Sequence, residues 1–126
     1  MSIPDEYEPR RLSLNERGVI LWILARLDDA SVADSLYQQS LEAIVAGGPP
    51  AYVTLIVPLD VEAVNVKDGP LQVIPTAYGD TGEVLGDILL WLSDGRLDAI
   101  EFAWVTDDTP SELPGPHQLR LPRLGS

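Results

Sequence analysis

The chain has 126 residues, 45% of them hydrophobic, and 20 acidic against 8 basic residues give it a formal charge of −12. This length suits one domain, and the apolar content excludes global disorder. The lack of cysteine excludes disulfides, cysteine catalysis and thiolate metal sites. The negative charge argues against binding to nucleic acid or anionic lipid, both of which need clustered Lys and Arg. It leaves two interpretations: a basic protein partner, or a surface that only keeps the chain in solution.

The N-terminal residues lack the basic region and apolar core of a signal peptide. The longest apolar run, residues 19–25, is far below the ~20 residues that a membrane helix needs. We therefore expect a soluble, cytoplasmic protein that does not bind membranes.

The first half of the chain predicts a loose arm followed by helices. Residues 1–11 are polar with two prolines, and Ser13 and Glu16 have the spacing of a capping box. Apolar residues at helical spacing follow over residues 17–29, which predicts a well-buried helix. A short second helix is predicted over residues 32–39.

The pattern then changes to strands. Residues 41–46 and 51–59 are predicted strands, the second being rich in β-branched and aromatic side chains. One or two short strands are expected around residues 61–66 and 71–77. After residue 105 the chain becomes polar and proline-rich, which predicts an extended tail over residues 106–126.

The stretch "ILLWLSDGRLDAIEFAWVTDD", residues 88–108, predicts a β-hairpin with a two-residue turn at Asp94-Gly95. Such a turn pairs Ser93 with Arg96 and Ile88 with Glu101. Alternation then predicts two apolar faces. One face carries Glu101 with Ile88, Leu90, Leu92, Leu97 and Ala99, and the other carries Trp91, Phe102 and Trp104 with Leu89 and Ile100.

A single small helix covers only one of these faces, so the other needs a further layer, a second subunit or a partner. The face with Trp91, Phe102 and Trp104 is the candidate interface, because aromatic side chains are enriched at interfaces. We expect this face to lie in a contact between subunits, and the alternative is an ordinary core face.

Glu101 is a carboxylate among apolar side chains, and an unpartnered buried carboxylate costs several kcal/mol or becomes protonated. One interpretation is structural: Glu101 is buried and accepts from backbone amides or from an arginine of the first helix, Arg17 or Arg26. The other is functional, with Glu101 in a pocket.

Two segments, "LSLNERGVILWILARL" and "LLWLSDGRLDAIEFAWVTDDTPSELPGP", resemble a family of small uncharacterised bacterial proteins, mostly actinobacterial. The matching positions are Glu16, Asp94, Gly95, Leu97, Glu101 and Pro114. Many relatives carry Cys-Gly-Cys after the first strand, where this chain has Gly-Gly-Pro-Pro at residues 47–50, so no thiol or metal role transfers. The resemblance implies the helix-plus-hairpin fold and no known activity.

Catalytic and metal-binding patterns are absent from the sequence. The one histidine, His117, is flanked by proline-rich sequence, and no Gly-x-Ser-x-Gly elbow or phosphate loop occurs. Asp107, Asp108 and Glu112 lack the ligand ladder of a calcium loop. The sequence therefore predicts no catalytic residue, no metal site and no cofactor.

The prediction is a single α+β domain over residues 1–126, with a core at residues 12–105. An N-terminal helix packs on an antiparallel sheet of four to six strands, with the C-terminal hairpin at its centre. The leading functional hypothesis is a non-enzymatic, acidic interaction protein, in the manner of an immunity protein, that meets a basic partner. The alternative is a small enzyme or ligand-binding protein that uses Glu101 in a pocket.

Overall fold

A computed structural model describes residues 9–122 of the chain. The fold is α+β, as predicted, with two helices and an antiparallel sheet. The helices are α1 (Leu14–Leu24) and α2 (Ala30–Glu42), and a 3-10 turn spans Pro116–Gln118. The strands are β1 (Arg10–Arg11), β2 (Ile44–Gly47), β3 (Tyr52–Ile56), β4 (Gly69–Pro70), β5 (Thr76–Tyr78), β6 (Val84–Ser93), β7 (Arg96–Trp104) and β8 (Leu119–Arg120).

The sheet runs in the order β1-β2-β3-β7-β6-β5-β8, and β4 also pairs with β6. The long strands β6 and β7 are therefore central, as predicted. The predicted count of four to six strands was too low, since the sheet has eight. Three of these, β1, β4 and β8, have only two residues each. A two-residue strand is too short to show an alternating pattern, which is why the sequence did not indicate them.

Helix α1 begins where its predicted cap places it. Ser13 Oγ accepts from the amide of Glu16, and the Ser13 amide donates to Glu16 Oε1 at 2.8 Å, which confirms the capping box. α1 ends at Leu24, five residues before the predicted end at residue 29. Asp29 instead caps α2 by accepting from the Ser31 and Val32 amides. The second helix is consequently longer than predicted.

Both chain ends take part in the sheet more than expected. Residues 10 and 11, assigned to a loose arm, form β1 against β2, while residues 1–8 of that arm lie outside the described residues. In the predicted tail, Leu113 and Pro114 are buried and β8 pairs with β5. The tail is therefore packed onto the domain over residues 113–120, whereas residues 106–112 are mostly exposed, and residues 123–126 are not described.

The hairpin turn has the predicted form. Asp94 and Gly95 adopt φ angles of 52° and 73°, and Ser93 pairs with Arg96. Positive φ at both central positions is typical of a type I′ turn and explains why glycine occupies the second.

Beyond the turn, a β-bulge at Asp98 shifts the register by one residue. Trp91 pairs with Ala99 where a continuous ladder would pair it with Asp98, so Glu101 lies opposite Leu89 and not opposite Ile88. Side chains alternate along a strand, so a one-residue shift in pairing changes which residues of the two strands share a face. After the bulge, each residue of β7 shares a face with the residues of β6 that were predicted to lie on the other side. Our assignment of the two hairpin faces was wrong for this reason.

The core lies between the helices and one face of the sheet. Alternate strand residues point into it, and its fully buried side chains include Ile20, Ile23, Leu36, Ile88, Leu90 and Ile100. Gln39 of α2 is also fully buried, and it connects the helix to the hairpin turn by hydrogen bonds to Gly95 and Leu97. The opposite face of the sheet carries the remaining, outward side chains.

Candidate functional site

The outward side of the central strands carries apolar side chains that solvent reaches. We define the outer face by five residues: Tyr52, Ile56, Leu89, Trp91 and Glu101. Tyr52 and Ile56 are 41% and 54% exposed, and the other three are half-buried. Exposed apolar side chains grouped on one sheet face are typical of a binding surface.

Glu101 lies at the middle of this face and is half-buried. Its Oε1 accepts from Trp91 Nε1 at 2.9 Å, across the β6–β7 pair. Of the two alternatives expected for a structural Glu101, the arginine of the first helix was wrong, because both candidates are engaged elsewhere, and the hydrogen bond comes from an indole where backbone amides were expected. Arg17 donates to the Ser40 carbonyl. Arg26 donates to the Trp22 carbonyl, and its guanidinium lies over the Trp22 indole ring. Within residues 9–122, the one ion pair is that of Arg10 with Glu16.

The three aromatic side chains predicted to share a face do not share it. Trp91 lies on the outer face, whereas Phe102 is only 5% exposed and packs in the core. Trp104, at the end of β7, is 40% exposed. The bulge at Asp98 is the physical reason, since it places Phe102 opposite Ile88. The predicted three-residue aromatic interface is therefore reduced to two separate positions, half-buried Trp91 and exposed Trp104.

A groove lies beside the last residues of β7, next to the point where its neighbour β3 begins. The backbone that precedes Tyr52 turns away from β7 at Pro49. The last residues of β7 therefore have no β3 residue paired beside them. The groove has a volume of about 340 Å³, and its wall includes Tyr52, Glu101 and Trp104 with Pro49 and Pro110. We call it the edge groove. It joins the predicted carboxylate to two of the predicted aromatics, exposed Trp104 and buried Phe102, and to Tyr52, which the sequence did not single out.

A larger polar cavity of about 610 Å³ lies at the N-terminus of α1. Arg10 makes two bonds of 2.8 Å to the carboxylate of Glu16, which is 6% exposed. Burial raises the pKa of Glu16, but the bonds from Arg10 and from the Ser13 amide outweigh it and lower that pKa below its ordinary value. Arg10 and Glu16 neutralise each other and hold the N-terminus of α1, while Glu112 adds an exposed carboxylate to the cavity wall.

His117 lies exposed on the wall of the same cavity, and no hydrogen bond from its ring is present among residues 9–122. No three His, Asp or Glu side chains in that range come close enough to hold a metal ion. The edge groove offers one carboxylate and one phenol as its titratable groups. A carboxylate beside aromatic rings suits a cation, because the ring faces also attract positive charge.

These features define a class of protein: a small α+β domain with helices on one sheet face and a solvent-accessible, partly apolar opposite face. The chain matches none of the protein-family models, curated proteins or solved structures with which it was compared. The resemblance drawn from the sequence therefore stays a prediction. Neither helix in residues 9–122 has the length and apolar character needed to span a bilayer.

The sequence did not point to Tyr52 or Ile56, the two most exposed apolar residues of the outer face. Residues 52–56 read as a continuous apolar and β-branched run, which favours a strand buried on both sides. Thr54, also exposed, is the one polar residue of that run and the one available signal that its face meets solvent.

Proposed function

We propose that the protein is a non-enzymatic interaction protein whose outer face binds a basic protein partner, in the manner of an immunity protein. The observation that carries the proposal is the group of exposed apolar side chains, Tyr52 and Ile56, beside the carboxylate Glu101 on the side of the sheet away from the helices.

The choice of a basic partner rests on charge. The chain carries a formal charge of −12, which attracts a cationic partner and raises its rate of association. A second copy of the chain would bring the same negative charge to the interface, which opposes a homodimer. We therefore favour a heterologous partner over the homodimer.

The test is affinity capture from the source cells with the wild-type chain and with a double variant, Tyr52→Ser with Ile56→Ser. A matched control changes two exposed apolar residues elsewhere, Leu14→Ser with Leu59→Ser, which are 89% and 85% exposed. We expect a basic protein to be retained by the wild type and the control, to be lost with the outer-face variant, and to elute as salt is raised.

Equal retention by the outer-face variant, or a captured partner of acidic composition, would contradict the proposal. So would a wild-type chain that sediments as a dimer and becomes a monomer in the Tyr52, Ile56 variant, because the outer face would then be occupied by a second copy.

The rival function, a small enzyme or ligand-binding protein built on Glu101, has one supporting observation: Glu101 lines the edge groove. Screening small organic cations and metabolites by thermal shift tests it. A small molecule without a guanidinium group that stabilises the wild type but not a Glu101→Gln variant would favour the rival.

A further inference from the structure

We infer that the edge groove is a subsite for a guanidinium group, which the basic partner supplies as an arginine side chain. This inference rests on the proposed function and specifies the chemistry of its central contact. It follows from the unused bonding capacity of Glu101, from the groove wall, and from the charge around it.

Glu101 has acceptor capacity that the described chain does not use. Each carboxylate oxygen accepts about two hydrogen bonds. Within residues 9–122, Glu101 accepts one hydrogen bond, from Trp91 Nε1 to Oε1. Oε2 and the second lone pair of Oε1 therefore face solvent or a partner and not a donor of those residues. The indole also fixes the direction of the carboxylate. A half-buried carboxylate held in this way is prepared for a planar donor pair, and guanidinium supplies two parallel N–H groups.

The groove wall suits the rest of an arginine side chain. Tyr52 and Trp104 line the groove and are each about two-fifths exposed, so their rings are accessible. A guanidinium stacks on aromatic rings more often than an ammonium does. Pro49 and Pro110 add rigid apolar surface against which the aliphatic stem packs.

The charge near the groove favours a cation. Asp107 and Asp108 are exposed and directly precede groove residues Thr109 and Pro110. The groove wall itself contains no Lys or Arg. An incoming cation therefore meets attraction from several carboxylates and needs to displace no cation of the described chain.

The experiment uses N-acetylarginine methylamide as the probe and follows the indole N–H signals of the three tryptophans by NMR. We expect the signals of Trp91 and Trp104 to shift saturably with probe. Trp22 is stacked under Arg26 and should not respond, so it serves as an internal reference. The matched citrulline probe, which is isosteric and uncharged, should produce no saturable shift.

Two variants separate a site from general electrostatics. Glu101→Gln keeps an oxygen for Trp91 but removes the charge, and it should weaken arginine binding at least about tenfold, which corresponds to ~1.4 kcal/mol. Asp87→Asn removes the same charge at an exposed position of β6 outside the groove, and it should weaken binding less than about twofold. Amide spectra establish that both variants are folded.

Equal responses to arginine and citrulline, or equal losses in the two variants, would overturn the subsite. A lysine probe that binds as tightly as arginine would overturn the guanidinium assignment. If arginine does not bind while partner capture still depends on Tyr52 and Ile56, the subsite is refuted and the proposed function stands. If arginine binds but partner capture does not depend on Tyr52 and Ile56, the proposed function is refuted and the subsite stands.

Discussion

On the helix-covered side of the sheet, buried polar side chains make several hydrogen bonds each. On the outer face, Glu101 accepts one hydrogen bond from the described chain. Gln39 donates to the carbonyls of Glu62 and Gly95 and accepts from the Leu97 amide, at 2.9–3.0 Å. Glu16 is held by Arg10 and Ser13. The contrast indicates where stability resides and, under the proposed function, where a partner binds. Saturated polar groups hold the fold together, and a polar group with unused capacity is available to a partner.

The test with the largest expected change in stability compares the same residue type on the two faces. Ile100 is fully buried and Ile56 is 54% exposed. We expect Ile100→Ala to lower the free energy of unfolding by about 2–5 kcal/mol, since it leaves a cavity. Ile56→Ala should change it by less than about 0.5 kcal/mol. Urea denaturation measures both, and similar losses would mean that the outer face is part of a folding core.

The second test removes the buried amide. Gln39→Leu retains much of the side-chain volume but leaves the Leu97 amide and the Glu62 carbonyl without this partner, while the Gly95 carbonyl still accepts from the Val64 amide. We expect a loss of about 2–3 kcal/mol in unfolding free energy, because each unpaired buried group costs ~1–3 kcal/mol. The neighbouring Gln38→Leu is the control, since Gln38 is exposed. A loss in Gln38→Leu equal to that in Gln39→Leu would show that helix propensity, not the hairpin connection, is responsible.

The third test is pH dependence through Glu16. Its pKa is lower in the folded chain than in the unfolded chain, where it should be about 4.3. The stabilisation is therefore present above the unfolded pKa and is lost as the pH falls through the lower, folded pKa.

Glu16→Gln keeps the capping-box geometry and removes the charge. It should cost about 1 kcal/mol at neutral pH, because Arg10 is half-exposed and the ion pair is screened. The cost should vanish at low pH. Exposed Glu42→Gln is the control. Thermal melts from pH 7 to pH 2 follow both, and a cost in Glu16→Gln that persists at low pH would assign the effect to packing.

The sequence was sufficient to predict the elements that depend on local signals. Ser13 and Glu16 predicted where α1 begins, and Asp94-Gly95 predicted the hairpin turn. These signals act over a few residues, so a single sequence contains them in full.

The arrangement of the outer face could not be predicted in the same way. One extra residue at Asp98 reverses the side-chain directions that follow it, and strand alternation alone gives no indication of a bulge. The partner of Glu101 was therefore predicted on the wrong face. The edge groove depends on where β3 begins relative to β7, which is a tertiary relation between distant segments.

The smallest expected effect concerns Glu101, and it distinguishes the two faces most sharply. A buried, arginine-paired Glu101 would make Glu101→Gln cost ~3–5 kcal/mol. The structure instead gives Glu101 a half-buried position and an indole donor, and the Gln amide oxygen can accept from Trp91 Nε1 as well. We therefore expect Glu101→Gln to change the unfolding free energy by less than about 0.5 kcal/mol.

Glu101→Leu is the informative companion, since it removes the acceptor and leaves the Trp91 N–H without a partner. That N–H lies on a face that water reaches, so we expect a loss of only about 1 kcal/mol at most. Urea denaturation of both variants beside Glu16→Gln makes the comparison direct. A Glu101→Gln loss larger than that of Glu16→Gln would mean that the outer face carries structural charge. An unchanged midpoint, together with lost arginine binding, is the result expected of a carboxylate retained for a partner.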